Sequence, residues 1–146
     1  MRKLSLTLLA AAAAALLASP AVASADPAPA DGPGVAQVRA YVAALISHNA
    51  DAVRFAPDTV RVENGATTAT TGAQIADDIR NSPVYKTFQG YRDLTITQNG
   101  DKVTGRWLLD AGLGPVKVVT VAVNETFDVP DGVIHHLDAQ ISPAGS

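Results

Sequence analysis

The chain of 146 residues contains no cysteine, and that absence removes several options at once. No disulfide can staple the fold, no cysteine can ligate a metal and none can carry a lipid, so the folded part must be held by its core. Basic residues are scarce as well. Eleven Lys and Arg stand against fourteen Asp and Glu, a net charge of −3, which argues against nucleic acid and anionic membranes as partners. No repeat or heptad run occurs, and there is no nucleophilic serine motif, glycine-rich phosphate loop or dinucleotide fingerprint. The pair His135-His136 is a poor metal signal, because neighbours on a strand point to opposite faces and cannot both ligate one ion. Neither a metal nor a cofactor is expected.

The one long apolar stretch lies at the start. Met1 to Ala25 opens with Arg2-Lys3, continues apolar from Leu4 to Leu17 and ends in Ala23-Ser24-Ala25, the pattern of a secretory signal peptide. Its apolar run is shorter than the roughly 20 residues of a membrane span, and Pro20 follows it, so no membrane anchor is expected. Cleavage is expected after Ala25, with Ala21-Val22-Ala23 offering a second site, and the product would be secreted or extracytoplasmic. Without the signal, nine basic residues face fourteen acidic ones, a net charge of −5, and the remaining 121 residues are enough for one domain. Asp26 to Gly34, with three prolines and no large apolar residue, reads as a flexible leader, and Val35 to Pro143 as the domain.

Within that domain Val35, Val38, Val42, Leu45 and Ile46 recur at helical spacing, and Tyr41 borders their stripe, its ring towards a sheet and its hydroxyl in want of a partner. Asn49-Ala50-Asp51 starts a short second helix that ends at Phe55, ahead of Pro57. Thr59 to Asn64 is a strand whose alternation puts Val60, Val62 and Asn64 on the core side and Arg61 and Glu63 on the other. After Gly65, Ala66 to Thr71 is a loop or short edge strand. Thr71-Gly72-Ala73-Gln74 is a capping box that opens a helix to about Asn81, burying Ile75 and Ile79. The rest is strands: Asp93 to Gln98, the hairpin signal Asn99-Gly100, then Lys102 to Ala111 with Val103, Gly105, Trp107 and Leu109 on one face. Val116 to Val129 and Val133 to Ser142, joined at Pro130-Asp131-Gly132, complete a meander. Helices first and a meander afterwards give an α+β fold with helices packed on one face of a curved antiparallel sheet.

The first strand of that last hairpin carries an anomaly. Its odd positions Lys117, Val119, Val121, Val123, Glu125, Phe127 and Val129 share one face, so Glu125 is a carboxyl group on an apolar surface. Two readings follow. Either Glu125 lies in a desolvated pocket, where it is neutral and donates a hydrogen bond to a ligand oxygen, or it sits wet at an open sheet end or paired with an arginine such as Arg106. Arg106 and Asp110 share the face opposite Trp107 and read as a surface ion pair. His135, in phase with Leu137, Ala139 and Ile141, lines the pocket mouth or the edge of the core.

This order of elements resembles the nuclear-transport-factor-2-like (NTF2-like, SnoaL-like) superfamily, a cone of sheet and helices around a pocket. Four stretches carry the resemblance: Tyr41-Val42-Ala43-Ala44-Leu45; Thr59 to Gly65; Gly72-Ala73-Gln74-Ile75; and Glu125 to Val129 followed by Asp131-Gly132-Val133-Ile134. Within the superfamily the first helix looks most like ketosteroid isomerase. That resemblance implies that Tyr41 and Glu125 form an oxyanion-type donor pair. The general base of that family, an aspartate at the end of the first strand, falls where this chain reads Glu63-Asn64, and alternation turns Glu63 away from the pocket and Asn64 into it. Arg61-Val62-Glu63-Asn64-Gly65 also resembles the strand end of small uncharacterised SnoaL-like domains.

The candidate site is therefore Glu125 and Tyr41 as the chemical pair, with Asn64, Trp107, Phe127 and His135 binding the ligand. Two functions remain open. One is a secreted domain that holds a small apolar, oxygen-bearing molecule, or that pairs with a second copy through the sheet as an isologous dimer. The other is a cofactor-free isomerase, dehydratase or hydrolase that uses the same pocket.

Overall fold

A computed structural model describes residues 31–145. The signal peptide expected at Met1 to Ala25 and residues 26–30 of the leader lie outside the described residues. Helix α1 runs from Pro33 to Ser47, two residues earlier than the apolar spacing suggests, because Pro33 occupies the first turn, where its missing N–H costs nothing. Its buried side is Val38, Tyr41, Val42 and Leu45, and it ends at His48 in the left-handed conformation.

The short helix expected from Asn49 to Phe55 does not form. Asp51 and Ala52 make a turn, and strand β1 begins at Phe55 and runs to Glu63. Pro57 is tolerated inside this strand because the pairing with the neighbouring strand is broken between Phe55 and Val60, so no ladder hydrogen bond is lost. Thr59 spans the irregular stretch, its single hydroxyl hydrogen shared between the carbonyls of Ala56 (2.6 Å) and Ile134 (2.8 Å). Asn64-Gly65, both at positive φ between the paired residues Glu63 and Ala66, form a two-residue turn into the edge strand β2, Ala66–Ala69.

Helix α2 covers Gly72–Asn81 and buries Ile75 and Ile79. Thr71 caps it by accepting from the Gln74 amide, while the Gln74 side chain reaches back to the Thr70 amide, one residue beyond the capping-box partner. A Cβ on Gly72 would stand 2.5 Å from the Ala56 carbonyl oxygen, so glycine is what lets α2 sit directly on β1. A 3-10 turn, Tyr85–Thr87, leads into strands β3 (Phe88–Asn99), β4 (Lys102–Leu113), β5 (Val116–Asp128) and β6 (Ile134–Pro143). The β3–β4 loop is Gly100-Asp101, one residue later than the Asn99-Gly100 signal implies, since Asn99 still pairs with Lys102.

The six strands form one curved, open sheet in the order β2-β1-β6-β5-β4-β3. Every neighbouring pair is antiparallel except β1 and β6, which run parallel, so the sheet is mixed rather than wholly antiparallel. The fold class is the α+β one expected, with both helices against the same sheet face. Inner residues of β4 follow the expected alternation: Val103, Gly105, Trp107 and Leu109 are all buried. On β5 only Val123, Glu125 and Phe127 are fully covered. Lys117 and Val119 stand exposed, because the β4–β5 hairpin projects past the end of β6. No helix among the described residues is long and apolar enough to cross a membrane.

Candidate ligand site

The pairing register builds the site. Gly105 on β4 lies opposite Glu125 on β5, Glu125 opposite Ala139 on β6, and Ala139 opposite Glu63 on β1. Paired residues point to the same side of a sheet, so this row places two acids on the inner face, separated by one small residue and followed by glycine. At about 4.8 Å per strand the two acid backbones stand roughly 9 to 10 Å apart. The next row is Arg61, Leu137, Phe127 and Val103. Leu137, Phe127 and Val103 are fully buried, and Arg61 is drawn in with them at 4% exposure.

This overturns the alternation read for β1. Thr59, Arg61 and Glu63 face inwards, while Val60 and Val62 are half-buried on the outer side. An arginine can lie inside because its charge and donors are met. Nε donates to the Thr68 hydroxyl (2.8 Å), Nη1 to the Tyr85 hydroxyl (2.8 Å) and Nη2 to Asp78 (2.6 Å), and the Glu63 carboxylate lies 3.3 Å from Nε. Burial opposes the charge, but Tyr85, Asp78 and Glu63 outweigh it and hold the guanidinium above its ordinary pKa.

Between helices and sheet lies a cavity of about 230 Å³, walled by Tyr41, Tyr85, Phe88 and Trp107 and floored by Ala139, with Glu63 and Glu125 on its lining. On the β6 side of Glu125 the small Ala139 floors the void, whereas the space over Gly105 is taken by the Trp107 ring and Val38. Burial, followed by the neighbouring Glu63 charge, pushes the Glu125 carboxyl up to about 8, while Arg61 and a hydrogen bond from Tyr41 pull the other way. Glu125 is 2% exposed, and its Oε1 has no hydrogen-bond partner among the described residues. Near neutral pH it is a carboxylic acid, able to donate. Tyr41 stands edge-on to Phe127 at 5.2 Å, and burial, then Glu125, keeps its phenol well above the usual pKa.

The candidates divide accordingly. Tyr41, Glu125 and Trp107 line one cavity. Phe127 lies beneath it, supporting the Tyr41 ring. Asn64 does not reach the cavity: at the β1–β2 turn its side chain accepts from the Ile141 amide (2.7 Å) and donates to the Ile141 carbonyl (3.1 Å), prolonging the ladder past the end of β1. His135 is outside as well, held 3.1 Å from Asp131 in the β5–β6 turn. Arg106 forms no pair with Asp110, which instead bonds Arg92 (2.6 Å) and Thr120. Glu63 and Arg61 are the site residues that alternation hid, while Tyr85 lies in the 3-10 turn and gave no periodic signal. The small residue Ala139, in phase with Leu137 and Ile141, was the available sign of a void beside Glu125.

A larger, open depression of about 620 Å³ lies on the outer sheet face around Arg106, Asn124 and Gln140. It is open to solvent and lies on the other side of the sheet from the buried acid.

Two helices over one face of an open six-stranded sheet, with a cavity between α1 and the sheet, are the arrangement of the NTF2-like (SnoaL-like) fold. The chain belongs to the family described as Domain of unknown function (DUF8021), whose profile matches residues 33–141. Comparison with curated proteins finds no match. Among solved structures it is similar to an LEH-like epoxide hydrolase of M. tuberculosis, at 22% identity and TM-score 0.64 over 75% of this chain and 83% of the other. It is likewise similar to an NTF2-like protein of unknown function from Cytophaga hutchinsonii, at 16% identity and TM-score 0.57 over 73% and 88%. A third, of ketosteroid isomerase-like fold, comes from Catenulispora acidiphila and was solved in complex with trimethylamine; it matches at 21% identity and TM-score 0.57 over 70% and 82%. At these identities the likeness establishes the fold.

Proposed function

We propose that this domain binds a small, mainly apolar molecule by an oxygen atom that accepts a hydrogen bond from the neutral Glu125 carboxyl group. The observation that carries the reading is Glu125 itself: buried, uncharged near neutrality and with one oxygen partnerless, at the wall of an apolar cavity. A buried polar atom without a partner is costly, and a ligand oxygen or hydroxyl removes that cost. At about 30 Å³ per water volume, the cavity holds the equivalent of about eight waters, which suits a one-ring molecule and is below the range of drug-sized sites. That a neighbour of this fold was solved in complex with a molecule as small as trimethylamine supports a small ligand. Pairing of two copies through the outer sheet face has less support, since exposed Arg106, Asn124 and Gln140 lie there.

Titration with cyclohexanone, followed by NMR, tests the reading. The ketone is expected to move the Glu125 carboxyl resonance, and Glu125→Leu to weaken binding at least tenfold while the fold is kept. A Glu125 resonance that ignores the ketone overturns it.

Glu63 favours a second reading, a cofactor-free isomerase. An ionisable carboxyl on the same row as the neutral acid could remove a proton α to the ligand carbonyl while Glu125 and Tyr41 stabilise the enolate oxygen. In D2O the protein should then accelerate α-deuteration of cyclohexanone, and Glu63→Gln should lower the rate by roughly 10²- to 10⁴-fold. Exchange no faster than buffer leaves the binding reading alone.

Export is part of the proposal and rests on the pattern Met1 to Ala25. The exported form is expected to begin at Asp26; an intact mass that retains Met1 to Ala25 would refute it.

A further inference from the structure

From the part of the lining two strands along from Glu125, we infer that the cavity has a second polar pole, made by the Tyr85 hydroxyl and the Glu63 carboxylate, and that its ligand is a small hydroxy-carbonyl compound. The inference rests on the reading that Glu125 meets the carbonyl oxygen.

A guanidinium has only donors, so in the 2.8 Å contact between Arg61 and Tyr85 the phenol oxygen must accept. Its own O–H hydrogen is then left to donate elsewhere, and among the described residues it has no acceptor. Tyr85 is nearly buried and lines the cavity, as Glu63 does. The phenol is held from two sides, by Arg61 at its oxygen and by the tilted Phe88 ring at 5.0 Å, and the His48 ring lies 2.9 Å from the Tyr85 backbone carbonyl. Arg61 also fixes Glu63 from the side, at 3.3 Å, and the Glu63 side chain remains 30% exposed, with lone pairs to spare.

A donor and an acceptor on one cavity lining, both held by Arg61, complement one functional group, a hydroxyl, which accepts from the phenol and donates to the carboxylate. A ketone has no proton to give Glu63, and an ammonium has no lone pair for Tyr85. At the other pole the neutral Glu125 donates, which a carbonyl oxygen satisfies. The backbones of Glu63 and Glu125 stand roughly 9 to 10 Å apart, two strand spacings, and a single ring can reach between their side chains.

Two probes of nearly equal size separate this pole from plain apolar burial: 4-hydroxycyclohexanone and 4-methylcyclohexanone, each titrated into the protein by calorimetry, with the Glu125 carboxyl resonance followed in parallel. An apolar wall would prefer the methyl compound. The expected result is that the hydroxy compound binds about tenfold more tightly, the size of one good hydrogen bond, and that Tyr85→Phe, which keeps the ring, brings the ratio of the two affinities to about one. Should Tyr85→Phe fail to fold, the ratio of the two probes on the unaltered protein still decides. Equal binding, or a methyl preference, with Glu125 responding to both ketones overturns the second pole and leaves the binding reading standing. No response of Glu125 to either ketone overturns both.

Discussion

Glu125 shows how one residue's surroundings set its chemistry. Neighbours on the same face are Val123 and Phe127, and across the strands Gly105 and Ala139, so nothing adjacent offers a counter-charge. Arg61, one row away, is engaged by Asp78 and Glu63 and offsets only part of the burial effect. The thermodynamic consequence has a definite sign. With the folded pKa at about 8 and the unfolded one near 4.5, the folded state holds the proton more tightly. Its stabilising contribution is complete below pH 4.5, falls by about 1.4 kcal/mol per pH unit between the two values, and is gone above the folded one. Glu125→Gln carries no such proton. Urea unfolding at a series of pH values should therefore show the variant gaining on the wild type from about pH 5 upwards and overtaking it by pH 8. A difference that stays flat with pH would mean that Glu125 titrates as a solvated acid.

At the scale of elements, strands β4 and β5 and helix α2 were legible because apolar periodicity coincides with burial in them: Val103, Trp107 and Leu109 in one case, Ile75 and Ile79 in another. The same rule failed at β1. There the inner positions are Thr59, Arg61 and Glu63: the first two meet partners from elsewhere in the chain, Glu63 pairs with Arg61, and the valines are left for the half-covered outer side. A pattern of polarity cannot show that Asp78 and Tyr85 will meet Arg61 in space. The acid on the apolar face of β5 was visible from parity alone, whereas its companion Glu63 was not, because its inward direction depends on pairing with Ala139. The corrected parity predicts an ordering of stabilities. Thr59→Val removes the hydroxyl that serves the buried Ala56 and Ile134 carbonyls and should cost about 1 to 3 kcal/mol. Val62→Thr, on the outer side, should stay within about 0.5 kcal/mol. Denaturant midpoints giving the reverse order would restore the alternation read from sequence.

For the molecule from Asp31 onwards, the decisive strand is the last one. β6 stands in the middle of the sheet, antiparallel to β5 on one side and parallel to β1 on the other, so it alone joins the β1–β2 hairpin to the β3–β5 meander through strand pairing. Its partners are remote in sequence: Phe55 meets Ile134 and Glu63 meets Ala139. It also supplies Ile134 and Leu137, both fully buried, and the Ala139 floor between the two acids. A chain that stops after Gly132 would retain both helices and the meander but expose the inner edges of β1 and β5, with the apolar faces that β6 covers. Long-range pairing of this kind brings its stabilisation only after the loop-closure entropy has been met, so the shortened chain has little to hold α2 and β1 against the rest. It should therefore show no cooperative unfolding transition, and adding a peptide of residues 133–146 in excess should restore one, with the Glu125 resonance returning to its raised midpoint. A cooperative transition in the truncated chain by itself would show that the core over β3 to β5 suffices, and that β6 completes the cavity without holding the fold.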